Sequence, residues 1–148
     1  MRRVHVLDRL LEISLLLQAD MARSFAGSGL TVARTHLLWE LHQLGPSTQQ
    51  RLATALQVSP RNVTGLVDAL VAGGFVTRQP HPNDRRATLV TLTDLGARTM
   101  SGMERDREHF AAELLADLDE DALAQLGRAL DAVTARLHHS ARAAETGA

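Results

Sequence analysis

Asp84-Arg85-Arg86 lies in a polar turn between two β-like runs, and two adjacent guanidinium groups at such a tip suit a polyanion. Upstream, Ser59-Pro60-Arg61-Asn62 opens a helical run with a small polar face. A helix of that kind fits a major groove, while arginines on a hairpin reach the flanking minor groove or backbone. Within the helix, Arg61 can fork onto guanine O6/N7, Asn62 onto adenine N6/N7, and Thr64 can meet a thymine methyl. Gly65 is unusual there, since an exposed mid-helix glycine costs about 1 kcal/mol against alanine; close approach to a base edge or phosphate would account for it, the alternative being that the glycine is simply tolerated. Gln49, Gln50 and Arg51 begin the preceding helix as candidate phosphate contacts, which set register without reading sequence, the alternative for the two glutamines being solvated surface side chains. Arg78 either touches the backbone or pairs locally.

The elements that must hold these residues follow from periodicity. Val6, Leu10, Ile13 and Leu17, widened by Leu7, Leu11, Leu15 and Leu16, predict a first helix buried on more than one side, ended by Gly27-Ser28-Gly29. A second helix is expected from about Thr31 to Leu44, stopped by Gly45-Pro46. Ser47-Thr48-Gln49-Gln50 reads as a capping box for a short third helix carrying Leu52, Ala53 and Leu56. Ser59 caps a fourth with Pro60 at its first position, and Val63, Leu66, Val67, Leu70 and Val71 line one face before Gly73-Gly74. Phe75 to Arg78 and Ala87 to Leu92 read as strands around a Pro-containing turn. Thr93-Asp94 starts a long helix, and Asp119 caps a last one whose Leu123, Leu126, Leu130, Val133 and Leu137 form a seam seeking another helix. The Ala-rich end after His138 is expected to fray. The order α-α-α-α-β-β-α-α is mainly α with a small β-hairpin wing: a winged helix-turn-helix flanked by N- and C-terminal helices whose apolar seams lack a partner.

Bulk properties agree with this. At 148 residues and 45% hydrophobic content, the chain is long enough for one core and reads as a single domain over residues 1–148. Cysteine is absent, which excludes disulfides, thiol redox sensing and thiolate-ligated zinc. No membrane span or signal peptide is evident, so a cytoplasmic location is expected. The net charge of −1 hides a segregation: Pro46 to Arg98 holds six arginines against three aspartates, or +3. The remainder holds ten arginines against fourteen acids, or −4.

Asp84-Arg85-Arg86-Ala87-Thr88-Leu89-Val90-Thr91-Leu92-Thr93 resembles the wing signature of the MarR family of bacterial transcriptional regulators, Asp-x-Arg followed by Leu-Thr. Leu52-Ala53, Val58-Ser59-Pro60, Leu66-Val67-Asp68-Ala69-Leu70 and Gly73-Gly74-Phe75-Val76 extend the likeness over roughly residues 30–96. The resemblance implies a DNA-binding lobe at residues 31–96, dimerisation helices at residues 4–27 and 97–140, and a homodimer facing a near-palindromic double-stranded operator, most simply as a repressor. It gives Arg86 the wing contact, Arg85 an auxiliary place and Asp84 the task of orienting arginine, the alternative for Asp84 being an exposed salt bridge to Arg86. It also implies release by a small aromatic or phenolic acid, for which Arg34, His36 and Trp39 offer a cation, an imidazole and a stacking surface. The competing use of Trp39 is as core.

Two alternatives share the fold. In a zinc-responsive regulator, His36, Glu40, His42, Glu108, His109 and Glu113 would be the donors, but His36 and His42 are six apart and no compact set emerges, so no metal or cofactor is assigned. In a winged helix used only for protein contacts, the outward face of Ser59–Ala72 would be apolar or acidic, which it is not. An enzyme is not expected: no nucleophile elbow, phosphate loop, dinucleotide fingerprint or His-Glu-x-x-His occurs.

Overall fold

A computed structural model describes residues 2–146, with the side chains of 145 and 146 left aside. Its elements are α1 (Arg3–Phe25), α2 (Val32–Leu44), β1 (Ser47–Thr48), α3 (Gln49–Leu56), α4 (Pro60–Ala72), β2 (Val76–Pro80), β3 (Thr88–Leu92), α5 (Asp94–Leu114) and α6 (Glu120–Thr146). The chain divides into two compact units, with the boundary between Met103 and Glu104, inside α5.

The core of the first unit is built mainly of apolar side chains. Leu37, Leu38 and Leu41 of α2 meet Leu52 of α3, Val63, Val67 and Leu70 of α4, Val76 and Val90 of the sheet, and Met100 of α5, all nearly inaccessible. Burying each such side chain contributes about 1.5–3 kcal/mol, so the three-helix arrangement is held mainly by this cluster. Local chemistry fixes the ends. Thr31 caps α2 by accepting from the Arg34 amide at 3.2 Å, and Ser59 caps α4 by accepting from Asn62 at 3.1 Å. Between α3 and α4 the chain turns through Gln57 in the left-handed region, at φ 56°.

Several expectations need correction. The hairpin is part of a three-stranded antiparallel sheet in the order β1-β3-β2, because Ser47 and Thr48 pair with Val90 and Leu89. That pairing takes Ser47 out of the predicted capping box. Its hydroxyl donates to the Gly45 carbonyl at 2.8 Å, and Thr48 is the cap of α3, accepting from the Arg51 amide at 3.2 Å. The first wing strand starts one residue late and runs to Pro80, with Val76 opposite Leu92 and Pro80 opposite Thr88. Phe75 instead closes α4, its amide donating to the Leu70 carbonyl at 3.0 Å.

Helix α1 contains no buried residue, with Val4 68% and Leu15 67% exposed, against the expectation of burial on more than one side. Its apolar stripe is real, but only its end, at Phe25, packs against the core cluster.

The second unit is the C-terminal part of α5 followed by α6. Asp119 caps α6 as expected, its Oδ1 accepting from the Ala122 amide at 2.8 Å. The seam residues Leu126, Leu130, Val133 and Leu137 are all exposed. Helix α6 is continuous past His138 to Thr146, consistent with alanine's high helix propensity.

Candidate nucleic-acid interface

Helix α4 divides cleanly. Val63, Val67 and Leu70 are in the core, while Arg61, Asn62, Thr64, Gly65 and Asp68 are exposed. Spacings of three and four put Arg61, Gly65 and Asp68 on one stripe with Asn62 beside it. Arg51 is exposed on α3, and Arg85 and Arg86 are exposed on the wing. Among the described residues, none of the guanidinium groups of Arg51, Arg61, Arg85 and Arg86 has an ion-pair or hydrogen-bond partner. Four uncommitted cations thus share the lobe that carries α4.

The wing tip is built by Asp84. Its carboxylate accepts from the Arg86 backbone amide at 3.0 Å, and its carbonyl accepts from Ala87 at 3.2 Å. The turn is closed by the His81 amide donating to Ala87 at 3.1 Å, and by Asn83 donating to His81 Nδ1 at 3.1 Å. Asp84 therefore sets the backbone from which Arg86 projects; among the described residues it makes no salt bridge to the Arg86 guanidinium.

Gln49, Thr64, Asp68 and Arg78 join in a chain that no local pattern announces. Thr64 donates to the Pro60 carbonyl at 3.1 Å and accepts from Gln49 Nε2 at 2.9 Å. Gln49 Oε1 accepts from Arg78 Nε at 3.3 Å, and the Arg78 guanidinium forms an ion pair with Asp68. The network fastens the start of α3, two successive turns of α4 and strand β2 to one another. Gln49 and Thr64, expected as direct contacts, are committed inside it, and Arg78 takes the local-pairing option. An open cleft of about 620 Å³ lies alongside, between the start of α3 and the wing, with Gln50, Arg78, His81 and Arg86 among its lining. His81 carried no sequence signal beyond its place in the turn.

Each of the expected effector residues makes local contacts. Arg34 donates to the Gly29 carbonyl at 2.8 Å, holding the α1–α2 loop. His36 lies 3.8 Å from Glu40 along its own helix, and the half-buried Trp39 packs on the core with its ring 5.8 Å from that of His42. Of the donors weighed for zinc, His109 pairs with Glu113 at 3.3 Å, and among the described residues no three His, Asp or Glu converge.

The MarR family model matches residues 30–88, the segment that contains α2 to the start of β3. An HTH-type transcriptional regulator of Mycobacterium tuberculosis (strain CDC 1551 / Oshkosh) is 32% identical over 113 residues, 76% of this chain and 79% of that protein. The chain belongs to the MarR family. As a MarR-family protein it is a DNA-binding transcriptional regulator, and its relatives are regulators rather than enzymes. The HTH-type transcriptional repressor MdtR of Bacillus subtilis (strain 168) is 29% identical over 130 residues, 88% of this chain and 79% of that one. The fold is also that of Streptococcus pneumoniae FabT, crystallised in complex with DNA, at TM-score 0.85 and 18% identity over 93% of this chain and 99% of that one. RV1404 from Mycobacterium tuberculosis matches at TM-score 0.73 and 32% identity over 90% and 93%. Among the described residues, no helix is long and apolar enough to cross a membrane.

Proposed function

We propose that this MarR-family regulator acts in the cytoplasm as a homodimer, repressing transcription from a near-palindromic operator read by two α4 helices. The observation that carries the reading is the α4 face: Arg61, Asn62 and Gly65 are exposed, while Val63, Val67 and Leu70 on the other side are buried in the core. Arg86 and Arg85 would lie along the flanking minor groove, Asp84 holding their backbone, with Arg51 and Gln50 on phosphates and Ser59 presenting the start of α4. The uncovered stripes of α1 and α6 support pairing of two copies, and the DNA carried by FabT supports the groove placement. Half-sites would then be spaced by about one duplex turn, roughly 34 Å.

The test is operator binding across a salt series, with the operator obtained by selection from random duplexes. Arg86→Ala is expected to weaken all duplexes alike and to lower the salt slope by about one. Asn62→Ala should instead flatten preference at one position per half-site, a change of about 1–3 kcal/mol in discrimination. Unchanged operator affinity in Arg86→Ala would remove the wing from the interface.

Release by a small aromatic or phenolic acid belongs to the same proposal. Trp39 and His36 supply the stacking and polar groups, with Arg34 at the loop end. Quenching of Trp39 fluorescence by salicylate, in parallel with loss of operator binding, is the expected signature; binding that leaves the Trp39 signal unmoved would place the ligand elsewhere.

A further inference from the structure

Gly65 has no structural reason to be glycine. It sits in the interior of α4, and a Cβ built on it meets no atom within 4 Å. Its φ is not in the left-handed region, so alanine would fit the backbone and favour the helix. The free protein therefore keeps a less stable residue at the centre of its exposed stripe. On one side stands Thr64, whose hydroxyl is committed both to Pro60 and to Gln49, leaving the γ-methyl as its only free part. One turn further, Asp68 is neutralised by Arg78. The result is a gap one methyl deep in the exposed stripe, with Thr64 preceding it in the chain, Arg61 one turn before it and the neutralised Asp68 one turn after.

Resting on the operator reading above, we propose that Thr64 and Gly65 form a specificity notch that receives a thymine 5-methyl group in the major groove. Only a pyrimidine methyl is both apolar and projecting there; the other base edges present donors or acceptors that this notch cannot satisfy. The missing Cβ lets the α4 backbone come closer to the base pair than alanine would allow, and the Gln49–Thr64 hydrogen bond holds the methyl side of the notch in place.

The test uses the full-length protein and the duplex it selects from a random library, with each thymine replaced singly by deoxyuracil, which removes only the methyl. One thymine per half-site should respond, binding about three- to fivefold more weakly, the worth of one buried methyl. Gly65→Ala is expected to raise the melting temperature by about 2–5 °C. It should bind the thymine duplex about tenfold or more weakly, and lose most of its sensitivity to deoxyuracil at that position. Gly65→Ala binding as tightly as wild type, or a duplex with no sensitive thymine, overturns the notch while leaving the operator reading intact. A selection that enriches no sequence overturns both.

Discussion

Gly96→Ala is expected to destabilise the first unit by about 3 kcal/mol or more, lowering its melting temperature by about 10 °C. A Cβ at Gly96 would lie 2.1 Å from the Phe75 carbonyl oxygen and 3.1 Å from its carbonyl carbon. These are backbone atoms, so no side chain can swing aside. Nor can the backbone yield cheaply: the Phe75 carbonyl accepts from the Thr93 amide at 3.0 Å, and Thr93 Oγ1 donates to Gly74 at 2.6 Å while accepting from Gly96 at 3.1 Å. The first turn of α5 is thus seated on the segment joining α4 to β2. Moving it apart would break those bonds and disturb the Val76–Leu92 end of the hairpin. Operator affinity should fall too, since the placement of the wing relative to α4 depends on this joint. Thermal melting decides the matter: a midpoint within about 2 °C of wild type would mean the seat can relax. The contrast with Gly65→Ala is the control, because the same substitution in a helix is expected to have the opposite sign where the added methyl meets nothing.

That pair of glycines shows what a sequence can and cannot disclose. Gly65 is visible as an anomaly, since it interrupts an otherwise strong helical pattern on the polar side. Gly96 is not, because Thr93-Asp94-Leu95-Gly96 reads as an ordinary helix start, and its close neighbour, Phe75, is brought there only by the fold. The same distinction runs through the site. The apolar face of α4 and its Ser59-Pro60 cap are local signals, and they located the outward stripe correctly. The network is not local: Gln49 bonds Thr64 across fifteen positions and Arg78 across twenty-nine. Gln49 and Thr64 therefore looked like free contacts in the sequence. Ser47 and Thr48 are adjacent hydroxyls equally able to cap α3, and the choice is made by the pairing of Ser47 with Val90. For α1, periodicity disclosed the stripe but not what covers it.

Arg78→Ala is expected to cost operator affinity about thirtyfold, or roughly 2 kcal/mol, with little change in thermal stability. The side chains of Arg78 and Asp68 are 33% and 63% exposed, and an ion pair at such a surface contributes only about 0–1 kcal/mol to folding. Its value lies in the complex. Asp68 is on the outward stripe of α4, where an uncompensated carboxylate would face phosphates, and Arg78 cancels that charge. Arg78 also holds the Gln49 carbonyl, which leaves the Gln49 amide directed at Thr64. Removing the guanidinium therefore exposes a negative charge and loosens the side of α4 proposed to read bases. The two contributions separate in a double-mutant cycle. If charge dominates, Asp68→Ala in the Arg78→Ala background restores about tenfold of the loss. If positioning dominates, the double variant stays weak and Gln49→Ala alone reproduces most of the defect. Additive losses from Arg78→Ala and Asp68→Ala would instead show that the pair does not act as a unit at the DNA. The salt series distinguishes these cases further: a released Asp68 weakens binding most at low ionic strength, where repulsion is least screened, whereas a displaced α4 weakens it at every salt concentration.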